Sequence, residues 1–360
     1  MERVIGHRLI LRELRALATS EEPAHALLLA GPESTGRMAL ALQYAMMLNC
    51  ELSRTTELPV AGASLFDLGA VETVPVAGRE IPCGECRSCR LIDEGSHPDV
   101  VVVTPGDTLC RPRGGESSHD KHPDSRDIRI CQVRGMIDLV ARYPFEAKYR
   151  VVIIDPADRL AREAAHTLLK TLEEPPGHTA FVLISAAPES IIETVISRCR
   201  RINVRTVPRA EIEEGLVAQG VEPGLAAQCA EAARGRVGLA ISYAAKPDLM
   251  GDRERLLELC GSIAAGRSAE RFSYAGTLAD QWRKDRSVVH TALDMWEVFW
   301  EERLRHADPS DVEGMRGIIG AMEAVIRCRG DLLTQVQTRA ALEFMLLSFP
   351  RVTLAGTTGE

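Results

Sequence analysis

A chain of 360 residues is too long for one compact core, so two or three domains are expected. Its formal net charge of −8 argues against a protein that grips nucleic acid alone by neutralising phosphates; any DNA it meets is shared with partners. No apolar stretch reaches the roughly eighteen residues of a membrane span, and charges interrupt MERVIGHRLILREL where a signal peptide needs an apolar centre. The expected setting is the cytosol, where 10 cysteines are not a disulfide framework.

From the N-terminus, Val4-Ile5-Gly6-His7 precedes an amphipathic helix with Ile10, Leu14, Leu17 and Ala18 on one face, and His25 to Ala30 reads as a first buried strand. It feeds the loop Gly31-Pro32-Glu33-Ser34-Thr35-Gly36-Arg37-Met38, which has P-loop spacing, with a helix expected over Ala39 to Leu48. Unpaired N–H groups in such a loop cradle phosphates, aided by the helix N-terminus. The chemistry needs Lys where Arg37 stands and a hydroxyl for Mg²⁺ where Met38 stands.

Cys83, Cys86 and Cys89 follow at spacings that let three thiolates converge on one ion from a single tight turn. A ferredoxin-type run would place a further Cys at the position of Asp93, so zinc is expected rather than an iron–sulfur cluster. Cys110, Cys131 and His97 are open as the fourth ligand. Cys229, Cys260 and Cys328 are scattered and suit small core positions.

Val100 to Val103 reads as a second core strand, followed by a polar insertion from Pro105 through Arg126 whose His119 and His122 lack apolar anchors and read as solvated. A helix carries Val133, Met136, Ile137 and Val140 on one face and ends by Pro144. Then come strand, helix, strand, helix, strand from Arg150 to Asn203: Val151 to Ile154 ends in Asp155, Leu160, Ala164, Leu168, Leu169 and Leu172 recur at helical spacing, and Ala180 to Ile184 is apolar throughout. Pro156 follows Asp155 where a hydrolase of this plan needs Glu to activate water.

Leu168 to Pro176, LLKTLEEPP, followed by Ser197-Arg198-Cys199, resembles the AAA+ subunits of bacterial clamp loaders, and the resemblance extends over about residues 4–350. It implies an α/β fold: an AAA+ RecA-like parallel-sheet domain over 1–204 with a zinc module inserted at about 50–96, a small helical lid over 205–248, an all-α collar over 249–350 and a tail over 351–360. By resemblance the fourth zinc ligand is Cys50, completing Cys83, Cys86 and Cys89. Gly31, Gly36, Arg37 and Asp155 then outline a degenerate nucleotide pocket, and Gly238 stands where ATPase relatives carry a lid arginine. Arg198 would be an arginine finger acting in trans.

The implied role is an ATPase-defective stator that helps open the sliding clamp and load it on primed DNA in replication. Its partners would be gamma/tau-type ATPase subunits, the delta subunit, the clamp, and DNA through the complex. Catalysis would belong to the polymerase holoenzyme rather than to this chain. The alternative is an ATP-hydrolysing gamma/tau-type subunit, which should have an intact P-loop; a free-standing zinc protein would need a basic face that is not evident. Trp282, Trp296 and Trp300 lie in the helical C-terminal region and suit core packing.

Overall fold

The apolar runs pair as the buried strands of one parallel sheet. In the computed structural model, which describes residues 4–53, 81–107, 109, 125–332 and 336–352, α1 (Arg8–Ala18) is followed by β1 (Ala26–Ala30), α2 (Arg37–Asn49), α3 (Arg87–Asp93) and β2 (Val100–Val103). Next come α4 (Ile130–Val140), β3 (Arg150–Ile154), α5 (Arg162–Glu173), β4 (Thr179–Ser185), α6 (Glu193–Ile196) and β5 (Arg200–Asn203). The strand order is β2-β3-β4-β1-β5, with each neighbouring pair parallel. Cys110, His119 and His122 lie outside the described residues, as do most of the expected insertion and 353–360 of the expected tail.

Every residue of β1, β3 and β4 is buried because helices cover both faces of the sheet. Side chains alternate along each strand and so feed two cores. Leu27, Leu29, Val151, Ile153, Val182 and Ile184 pack with α1 and α2, while Leu28, Val152, Ile154, Phe181 and Leu183 pack with α4 and α5. β2 and β5 are edges: Val102 is exposed in one, and Arg200, Arg201 and Asn203 in the other. The expected core strand at 100–103 is thus a sheet edge. Leu160, placed by its spacing in a helix, ends a single 3-10 turn, and α5 begins two residues later at Arg162.

Two polar clamps fix the N-terminal ends of β2 and β3. Asn49 at the end of α2 exchanges 2.9 Å hydrogen bonds with the backbone N–H and C=O of Tyr149. Asp99, fully buried, accepts from the backbone N–H groups of Phe145, Glu146 and Ala147 and from the Arg150 guanidinium at 2.7 Å. Arg150 also donates to the carbonyls of Leu139, Arg142 and Tyr143, tying the end of α4 to the start of β3. Burial raises the Asp99 pKa, but these donors outweigh it and hold it at about 2.

The chain divides into units Met1–Ala244 and Ala245–Glu360. The first continues through α7 (Arg209–Ala218), α8 (Pro223–Ala233) and most of α9 (Val237–Ala245). The second comprises α10 (Asp248–Ala265), α11 (Ser268–Lys284), α12 (Arg286–Arg305), α13 (Val312–Asp331) and α14 (Thr338–Leu347). Its core is aromatic: Trp296 and Trp300 are fully buried, with the Phe349 ring 4.8 and 5.2 Å from them. Buried Arg271 donates to the carbonyls of Ala264, Leu346, Phe349 and Pro350, satisfying groups that helix ends leave without intrahelical partners.

Breaking the Asp99–Arg150 pair would strand a buried guanidinium, so Asp99→Asn should destabilise the chain by about 3–5 kcal/mol in denaturant titrations. Because the folded Asp99 carboxyl is held at about 2, below its unfolded value near 4, its contribution is full above roughly pH 4 and disappears as pH falls toward 2. The stability gap between wild type and variant should therefore narrow across that window, by about 1.4 kcal/mol for each unit that separates the two values.

Candidate functional site

Cys50 terminates α2, and the segment from Ile81 brings Cys83, Cys86 and Cys89 back to it. The four sulfurs lie within 4.8 Å of one another. Tetrahedral zinc–thiolate coordination with bonds of about 2.3 Å needs sulfurs about 3.8 Å apart, so only slight contraction is required. The turn is already wound for this: backbone N–H groups of Cys83, Cys86 and Cys89 donate to the sulfurs of Cys50, Cys83 and Cys86 at 3.5, 3.3 and 3.5 Å. Cys86 caps α3 in doing so.

The Cys89 thiol pulls Cys50 down to about 5 against the opposing effect of burial, helped by the N–H groups of Cys83 and Leu52. Its bond to Cys50 pushes Cys89 up. Four cysteine sulfurs this close together can hold a soft or borderline divalent ion, and four protein ligands leave no open position for water. Neither Cys131, buried in α4, nor His97, whose Nδ1 accepts from the Asp99 N–H, belongs to it.

At the other end of the sheet the loop from β1 to α2 is held by its own chain. The Gly31 N–H donates to Ser185 O at 3.1 Å, and a Cβ at Gly31 would come within 2.0 Å of Val204 O, so no other residue fits. Gly36 adopts φ +93° at the start of α2, a conformation that starts the helix at Arg37 rather than at Ala39. The Thr35 carbonyl pairs with His7 Nε2 at 2.7 Å, and Ser34 O accepts from the Gly238 N–H of α9 at 2.7 Å. Gly238, the position expected to correspond to a lid arginine, brings helix backbone onto the loop.

Arg37 lies partly buried, with Nη1 lacking a hydrogen-bond partner. Burial pushes its pKa down, while Asp155, Glu33 and Asp158 around it pull the other way. Burial raises Asp155, opposed by Arg37 and reinforced by Asp158 and Glu33. The surroundings thus set one guanidinium among three carboxylates. Sequence reasoning missed Asp158, which accepts from the Ser185 hydroxyl at 2.7 Å and the Ala186 N–H at 3.2 Å; a serine ending an apolar strand was the available signal.

Arg198 stands just before β5, far from that loop. β5 pairs with β1 so that Arg200 lies beside Leu27 and Asn203 beside Ala30. Arg198 is therefore more than three strand residues, over roughly 10 Å, toward the opposite end of the sheet from Gly31. Its guanidinium donates to Glu173 and to Thr194 O.

The family model described as DNA polymerase III, delta subunit, matches residues 72–208. DNA polymerase III subunit delta' of Pseudomonas aeruginosa is 28% identical over 324 residues, 90% of this chain and 84% of that protein. The delta' subunit of Bacillus subtilis is 25% identical over 284 residues, 78% of this chain and 72% of that one. The tau subunit of the same bacterium is 31% identical over 206 residues, 57% of this chain but 29% of tau. Among solved structures, a gamma subunit-related protein from Thermotoga maritima aligns with 94% of this chain and 97% of its own, at 16% identity and a TM-score of 0.40. With relatives of this kind spanning most of its length, the chain belongs to the DNA polymerase III clamp-loader family, which includes the delta' and tau/gamma subunits.

Proposed function

We propose that the chain is a delta'-type clamp-loader subunit that does not hydrolyse ATP itself and lends Arg198 to the active site of a neighbouring ATPase subunit. The observation that carries the reading is the content of the β1–α2 loop. The position that needs a compact ammonium holds Arg37, surrounded by Asp155, Glu33 and Asp158. The position that needs a hydroxyl for a hard cation holds the thioether of Met38, and Pro156 replaces the carboxylate that would activate water.

Arg198 supports the same reading, because its place beyond the far end of β5 keeps it from the chain's own loop. An arginine offered in trans stabilises the charge on a transferring phosphoryl group, worth roughly 10³–10⁵ in rate in measured systems. The chain would thus complete a partner's site while its own serves as a joint. Gamma/tau ATPases and the delta subunit are the proposed ring neighbours, with the sliding clamp and primed DNA as joint targets of the assembly.

Within it, Cys50, Cys83, Cys86 and Cys89 would hold structural Zn²⁺, which ties the end of α2 to α3. We assign α7–α9 as the lid and α10–α14 as the collar through which the ring is held. Among the described residues no helix is long and apolar enough to cross a membrane, in keeping with a cytoplasmic replication protein. The rival reading, an ATP-hydrolysing gamma/tau-type subunit, draws on the tau match but requires the lysine, hydroxyl and glutamate that are missing.

The purified chain should show no ATP turnover above background; robust hydrolysis abolished by Arg37→Ala would favour the rival. Metal analysis should return one Zn²⁺ per chain, lost in Cys86→Ala together with thermal stability, since structural zinc couples to folding. Unchanged metal content in that variant would remove the site. Arg198→Ala should leave the isolated chain folded and the ring assembled, yet lower the DNA- and clamp-stimulated ATPase of the complex partially, by the share of one site, with clamp loading falling further. Wild-type turnover and loading in that complex would make Arg198 a surface charge.

A further inference from the structure

We infer that Glu173 is a positioning residue for Arg198, fixing the guanidinium in the attitude in which it meets a neighbouring subunit. The inference rests on the trans role proposed above. The backbone at Arg198 is set from both sides. On one side Val195 is fully buried in the second core and the Arg198 N–H donates to Val195 O at 3.2 Å; on the other, the chain enters β5 two residues later. What remains free is a long side chain. Its Nη2 donates to the Glu173 carboxylate and its Nη1 to Thr194 O at 2.8 Å, so the two terminal nitrogens are held by two different elements.

Glu173 is well placed to act as that second anchor. It is the last residue of α5, whose Leu168 and Leu172 are buried in the core that also holds Val195, so both ends of the ion pair are referred to one rigid body. The guanidinium has five N–H donors in one plane; bonds to Glu173, Thr194 O and, at 3.4 Å, Ser197 Oγ fix that plane and leave part of the fork for an incoming anion. The nearby arginines are engaged elsewhere: Arg200 donates to Glu13 at 2.9 Å and Arg201 to Asn203 Oδ1 at 2.9 Å. With side chains 33% and 49% exposed, the pair is too wet to matter for folding, but orienting one reactive group requires only a modest bias.

The test is steady-state ATP turnover by the assembled loader, with clamp and primed DNA, carrying this chain as wild type, Arg198→Ala, Glu173→Ala, Glu173→Gln or the Arg198→Ala/Glu173→Ala double variant. Glu173→Ala should leave one third to one fifth of the turnover that depends on Arg198, fivefold corresponding to about 1 kcal/mol, the ceiling for an exposed ion pair. KM for ATP should stay within about twofold. Glu173→Gln keeps an acceptor oxygen at the same reach and should recover most of the loss. The double variant should be no worse than Arg198→Ala alone, because Glu173 acts only through Arg198. If Arg198→Ala lowers turnover while Glu173→Ala matches wild type or exceeds it, or if the two losses add, the positioning role is overturned and the trans role stands. If Arg198→Ala itself has no effect, the trans role fails and the positioning role fails with it.

Discussion

At the end of β1 the chain makes a tight crossing, where Gly31 passes so close to Val204 O that a single added carbon would lie 2.0 Å from it. Around that crossing, β1 hands over to α2, β4 bonds to the loop through Ser185 O, and the segment after β5 packs against it. The N-terminal segment and α9 hold the next two loop carbonyls, at Thr35 and Ser34. A loop that joins so many parts of the first unit is under packing constraint whether or not it handles phosphate. On the function proposed above, this constraint is what keeps its glycines and geometry in place without the chemistry.

The electrostatics around the loop point the same way. A phosphate loop needs local positive potential, supplied by N–H groups, a helix N-terminus and lysine. Here Arg37 is partly buried and shares its surroundings with Asp155, Glu33 and Asp158, and the function proposed above rests on that difference. Arg198 is the converse case. It stands toward the opposite end of the same sheet, partly exposed, with its carboxylate partner on a neighbouring helix, and the function proposed above gives it a task outside the chain.

Much of this was legible in the sequence, where a single short stretch carried the signal. The β1, β3 and β4 runs are continuously apolar because both sheet faces are covered, and the missing lysine and hydroxyl at 37 and 38 are plain from loop spacing alone. Convergence of distant segments was not legible. Cys50 lies 33 residues before Cys83, and only the family resemblance named it; the Asp99–Arg150 clamp joins residues 51 apart with no local pattern. Edge placement of β2 was hidden because four valines look alike in a central strand or a peripheral one. Likewise, Glu173 reads as one more helix-end charge until the structure brings Arg198 to it.

The most direct measurement on the proposed loss of nucleotide function is the unfolding midpoint of the isolated, zinc-loaded chain with and without millimolar MgATP. A ligand that binds the folded state raises stability by RT ln(1 + [L]/Kd), so a functional pocket with micromolar affinity at such concentrations would add about 4 kcal/mol and shift the midpoint by several degrees. A loop that serves as a joint predicts no shift. A clear upward shift that disappears in Arg37→Ala would contradict it and make this chain a nucleotide-binding subunit.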